Sequence, residues 1–303
     1  MSSARVQLTA DASDALKAAH YTFDRPMPAV TIALAFVVFG SGAAAGGVGA
    51  LFGIGGGVFL VPLLHVALGF PLRTAAAISL ATVIATSSSV SAGRAHEQLI
   101  NLRLGMVLEV ATVAGSLLGG LTAHLFSEAT LQRLFGIVTL LAAASVLSRV
   151  NRRNVMLDPE ADAGSLGGRF HEAESGCVVT YRVKRLPLGL LASFVAGNVS
   201  SLLGVGGGVI KVPALNAWCG IPLRAAAATS AFMIGVTATG GAIIYYGRGE
   251  LPALAAAPAV LGVQLGTWAG IRLAHRVPAK WLKILLVVVL LVVAALMFAR
   301  SGR

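Results

Sequence analysis

Gly53-Ile54-Gly55-Gly56-Gly57-Val58-Phe59-Leu60-Val61-Pro62 decides the fold, because it returns as Gly204-Val205-Gly206-Gly207-Gly208-Val209-Ile210-Lys211-Val212-Pro213. The likeness runs on. Gly69, Pro71-Leu72-Arg73, Ala75 to Ala77 and Ser79 match Gly220, Pro222-Leu223-Arg224, Ala226 to Ala228 and Ser230, all at an offset of 151 residues (53 to 204, 79 to 230). Farther on, Gly115 matches Gly266, Gly119 matches Gly270 and Leu131 matches Leu282. A run of identities at one offset is an internal duplication.

Each glycine cluster interrupts apolar chain. Residues 29–52 precede the first, and only residues 58–70 follow it before Pro71. As a helix that second piece covers under about 20 Å, short of a hydrocarbon core of roughly 30 Å. The second copy repeats the shape, with 186–203 before the cluster and 209–221 after it. Two short helices around a glycine break predict a hairpin whose tip lies within the membrane. Longer apolar segments then follow at 72–93, 104–126 and 131–147, and again at 223–246, 253–274 and 280–299.

The chain is 56% hydrophobic and 12% charged with mean hydropathy +0.84, against about 25% charged for soluble domains. The fold class is therefore all-α, a polytopic transmembrane helical bundle of two repeats, since short alternating barrel strands are missing. Residues 1–28 form a polar tail without a secretory signal, 29–149 the first repeat, 150–185 a polar loop or small surface subdomain, and 186–300 the second repeat. Each repeat holds a glycine-broken hairpin plus three longer helices. Its crossings number three or five, odd either way, so the second repeat is expected to be inverted. Arg149, Arg152, Arg153, Arg182, Lys184 and Arg185 place the central loop on the cytoplasmic side, while Arg5, Lys17, Arg25, Arg300 and Arg303 oppose that orientation. The net charge of +11 orients the protein in the bilayer and does not indicate nucleic acid. Cys177 and Cys219 sit in unrelated contexts, so neither a disulfide framework nor a metal site is expected, and no cofactor.

Broken backbone inside a bilayer must face protein, water or ligand. The chain from Gly55, Gly56 and Gly57 to Val58 presents unpaired N–H groups and a positive helix end, and Gly206, Gly207, Gly208 and Val209 repeat the arrangement. Together the tips form a candidate anion cradle, with a small anion as partner and lipid around it. Tight helix packing is the competing use of these glycines. Ser79 and Ser230, one per repeat, are candidate donors to the anion, although such hydroxyls also bond a carbonyl one turn back. The same applies to Thr82, Thr86 and Ser87 to Ser89. Asn198 stands where the first repeat has Gly47, and can bond either substrate or a neighbouring helix. Lys211 replaces Leu60 and is either a fixed charge for an anion or a snorkelling side chain. Arg73 and Arg224 read as interface anchors. Glu109, one turn into its segment, is the proton-coupling candidate, with His65, His96 and His124 near segment ends. Tyr245, Tyr246, Trp218, Trp268 and Trp281 read as interfacial aromatics.

Two copies of Gly-x-Gly-Gly-Gly-x-x-x-Val-Pro in a chain of 303 residues resemble the TauE/SafE (sulfite exporter, TSUP) family of membrane transporters. The resemblance covers most of 29–300, with the insert at 151–185 atypical. It implies movement of sulfite, thiosulfate or organosulfonates such as sulfoacetate across the cytoplasmic (inner) membrane, driven by a proton gradient. The expected function is thus a secondary transporter, an exporter, whose halves rock or slide to alternate access. A passive anion channel with the same pore is the alternative. An enzyme is not expected, because no His-Glu-x-x-His, Gly-x-Ser-x-Gly or paired membrane aspartates occur. Homo-oligomerisation is left open.

Overall fold

The computed structural model describes residues 32–52, 56–94, 99–148, 164–172, 177–274 and 279–302. Gly53, Ile54 and Gly55, the 1–28 tail and His96 lie outside the described residues. The first repeat contributes α1 (Ile32–Phe52), α2 (Gly57–Pro62), α3 (Leu72–Arg94), α4 (Leu102–Thr122) and α5 (Glu128–Ser148). A π-helical turn, Leu63–Ala67, extends α2. The second contributes α6 (Leu186–Leu203), α7 (Gly208–Ala217), α8 (Leu223–Gly247), α9 (Ala253–Ala274) and α10 (Ala279–Ser301). Six of these helices (α1, α4, α6, α8, α9 and α10) are long and apolar enough to cross a membrane. This is an all-α polytopic bundle.

Small residues decide which helices touch. α1 packs chiefly on α9, and α4 chiefly on α6. A β-carbon on Gly262, Gly266 or Gly270 would strike the backbone of Phe39, Ala43 or Gly47 respectively. One on Gly115 would strike Phe194, and one on Gly119 would strike Asn198. The two sets are the same contacts carried across the 151-residue offset, with the repeats exchanged. Contacts climb together along each pair, so each pair runs parallel. α3 and α8 instead meet in descending order, Leu80 near Gly241, Ile84 near Gly235 and Ser87 bonded to Ala231, so these counterparts run antiparallel. α5 packs on α10, its counterpart, with Gly136 under the Phe298 ring.

Lipid tails are as apolar as side chains, so helix association rests on close packing, which small residues permit. Gly115→Val and Gly266→Val are therefore each expected to lower the melting temperature of the detergent-purified protein, by matching amounts. Overpacking costs about 1–3 kcal/mol, and here the obstacle is backbone. A melt in which only one of the two shifts would contradict the exchange symmetry.

The polar stretch between the repeats, expected as a loop or small surface subdomain, holds two strands. β1 (Gly168–Glu172) pairs antiparallel with β2 (Cys177–Tyr181). Phe170, Val179 and Tyr181 bury against Leu104, Leu108, Leu215, Cys219 and Ile221, so the hairpin docks where α4 starts and α7 ends. Asn101 ties the junction together. Its Oδ1 caps α4 by accepting from Leu104 N–H, and its Nδ2 donates to Leu166 O and Tyr181 Oη. Phe170 and Val179 both point to one face, as alternation along paired strands requires.

Candidate anion site

The two breaks meet. A β-carbon on Gly57 would lie 2.6 Å from the Gly204 carbonyl oxygen and 2.8 Å from Ser79 Oγ. Ser79, on α3 of the first repeat, donates to Gly204 O at 2.6 Å across the interface. Gly204 (φ 69°) and Gly206 (φ 75°) are left-handed, a conformation that glycine takes without steric penalty. Gly56, Gly57, Val58, Gly206, Gly207 and Gly208 are buried, and Val209 is half-buried.

Each short helix starts in the same way. Phe59 and Leu60 N–H close on Gly56 O, and Ile210 and Lys211 N–H close on Gly207 O. The N–H groups just before them have no helical partner by construction. The helices also end alike. His65 Nδ1 donates to Phe70 O at 2.8 Å, and Asn216 Nδ2 donates to Ile221 O at 2.8 Å, the same bond at the 151-residue offset. Since asparagine fills the role in one repeat, His65 serves the fold. Its Nε2 accepts from Gln132 Nε2.

The hydroxyls divide. Thr82, Thr86, Ser88 and Ser89 bond carbonyls three or four residues back, and Ser87 bonds Ala231 O on α8. Ser230 differs. It is 0% exposed, its Oγ has no hydrogen-bond partner among the described residues, and it lies 3.5 Å from where a Gly208 β-carbon would be. A buried hydroxyl therefore faces the first residue of α7 with its proton unspent.

The remaining candidates sit elsewhere. Asn198 lies in the α4–α6 seam, with its backbone against Gly115 and Gly119. Lys211, 0% exposed, points away from the break toward α4, where its Nζ is 3.7 Å from Glu109 Oε2 and 4.0 Å from Met233 Sδ. Glu109 Oε1 accepts from Thr237 Oγ1 at 2.7 Å. The structure thus joins the substrate candidate Lys211 to the proton candidate Glu109, which sequence reasoning kept apart. Both depart from the repeat, since the matching positions are Leu60 and Val260, and two unmatched charges of opposite sign were a usable signal.

Arg73 donates to His124 O and Phe126 O, so it closes the end of the first repeat's α4 turn. The aromatic reading needs one correction. Tyr245 is 0% exposed and donates to Ser201 O, because α8 turns that face into the bundle, whereas Trp218, Tyr246 and Trp268 are exposed. Arg272 lies 3.6 Å over the Trp268 ring, a cation–π contact.

Paired breaks, a duplicated Val-Pro helix start and a six-span apolar bundle define the kind of protein to compare. Residues 38–297 match the Sulfite exporter TauE/SafE family. The chain belongs to the TauE/SafE family. The probable membrane transporter protein YunE of Bacillus subtilis (strain 168) is 26% identical over 259 residues, 83% of this chain and 93% of that protein. A probable membrane transporter protein of Methanocaldococcus jannaschii is 25% identical over 253 residues, 78% of this chain and 85% of that protein. No solved structure is significantly similar. The matched span takes in both glycine breaks, and the β-hairpin of this TauE/SafE protein falls inside it.

Proposed function

We propose that this TauE/SafE protein is a secondary transporter, an exporter of small sulfur-containing anions such as sulfite, thiosulfate or organosulfonates. It works in the cytoplasmic membrane and is coupled to protons. The anion binds where the two glycine breaks meet. The observation that carries this reading is the unspent Ser230 hydroxyl beside the start of α7. A buried donor without a partner costs stability. Next to a helix N-terminus it supplies what an oxyanion needs, a hydrogen bond and positive potential without a full charge. Ser79, its counterpart, acts on the same site by holding the second break through Gly204 O. Inversion of the repeats is supported by α3 lying antiparallel against its own counterpart α8, and it puts broken helices where such transporters bind substrate.

The test is flux in proteoliposomes. Radiolabelled sulfite or thiosulfate should move saturably and be competed by the unlabelled anion, whereas unsaturable flux would favour a channel. Ser230→Ala should hold or raise the melting temperature of the anion-free protein and weaken anion binding by roughly ten- to a hundredfold, the worth of a hydrogen bond to a charged group. Unchanged affinity in Ser230→Ala would remove this hydroxyl from the site.

A further inference from the structure

We infer that Glu109 is an internal stand-in for the transported anion: it neutralises Lys211 while the carriage is empty, and takes one proton when an anion arrives. This rests on the transport reading above. Lys211 lies one turn into α7, the helix whose start forms the second tip, and is wholly buried. Its ammonium carries three N–H donors. Within the described residues these reach Glu109 Oε2 at 3.7 Å, too long for a good N–H···O bond, and the weak acceptor Met233 Sδ at 4.0 Å. Glu109 is held from its other side by Thr237 Oγ1 at 2.7 Å, and Oε2 has no hydrogen-bond partner. The pair is thus matched in charge but slack in geometry. Two buried charges survive through each other, and an added anion near Lys211 would leave one negative charge uncompensated.

Protonation of Glu109 resolves that excess. The proton goes to the carboxylate, the ion pair opens, and Lys211 becomes the counter-charge of the arriving anion; loss of the anion reverses both steps. Among the described residues, the polar contacts of Glu109 are to Lys211 and Thr237. α6 has no titratable side chain between Leu186 and Leu203; α8 has Arg224, Tyr245 and Tyr246 toward its two ends; α7 and the turn after it bring Lys211 and Cys219. The docked hairpin brings Arg169 and Tyr181, and Arg103 precedes Glu109 on α4. At the symmetry-related place beside the first break stand Leu60, Val260 and Thr86, so one such pair occurs among the described residues and the exchange takes one proton.

Proteoliposomes loaded with a pH dye and given sulfite or thiosulfate should take up protons together with the anion. A divalent anion with one proton still carries net negative charge, so a membrane potential negative inside favours its exit. In Glu109→Gln the proton movement should vanish and anion exchange should lose its dependence on pH. Amide exchange across 208–217, followed by mass spectrometry, reads the pair without any substrate. If opening takes up one proton, protection in the wild type should fall about tenfold per unit of acidification after correction for intrinsic rates. In Glu109→Gln that slope should be gone. Anion flux without proton movement in the wild type would overturn the inference and the proton coupling with it, and leave saturable anion transport standing. If none of the anions moves, the transport reading falls. A slope kept in Glu109→Gln would overturn the pair's role on its own.

Discussion

Gly57→Val is expected to abolish anion flux. The new side chain would start 2.6 Å from Gly204 O and 2.8 Å from Ser79 Oγ. Neither can yield cheaply, because the first is backbone at a left-handed glycine and the two are hydrogen-bonded to each other at 2.6 Å. Overpacking of this kind costs about 1–3 kcal/mol and is relieved only by pushing the elements apart. Here the elements are the two breaks, so the relief is itself the loss of the site. Gly40→Ala is the matched control. Nothing lies within 4 Å of its β-carbon position, and alanine in a helix interior gains about 0.5–1 kcal/mol over glycine. Flux in proteoliposomes and a melt in detergent, measured for both variants, check the pair. Flux at the wild-type rate in Gly57→Val would mean that the meeting of the breaks has no part in transport.

The second large effect is expected at Lys211. Lys211→Met should destabilise by about 3–5 kcal/mol, because it strands the Glu109 carboxylate in the bundle with only Thr237 as partner. Lys211→Met combined with Glu109→Gln should recover most of that loss, since exchanging a whole buried pair for neutral groups is often close to neutral. A double-mutant cycle on thermal unfolding measures the coupling. Additive losses would mean that the two side chains ignore each other.

Much of the fold is legible in the chain itself. Helix lengths follow from apolar runs, and the repeat offset already pairs Gly115 with Gly266 and Gly119 with Gly270, the residues that turn out to line the α4–α6 and α1–α9 seams. The glycine breaks are readable because a short apolar piece followed by Pro71 or Pro222 cannot span. What stayed hidden is long-range. Ser79 and Gly204 are 125 residues apart, and no local pattern says that one repeat's hydroxyl holds the other's carbonyl. Periodicity could not separate a buried Tyr245 from an interfacial one, since either suits a helix end. The hairpin is not legible because Phe170, Val179 and Tyr181 are three of the scattered apolar residues in a polar insert, and their partner surface is built from α4 and α7.

The cross-pairing of α1 with α9 and of α4 with α6 bears on what moves. Each unit that could shift as a solid piece is assembled from both copies of the duplicated gene segment, so the covalent boundary between copies is not the mechanical one. Gly204 and Gly206, both left-handed, directly follow α6, so any shift of the α4–α6 piece reaches the second break first.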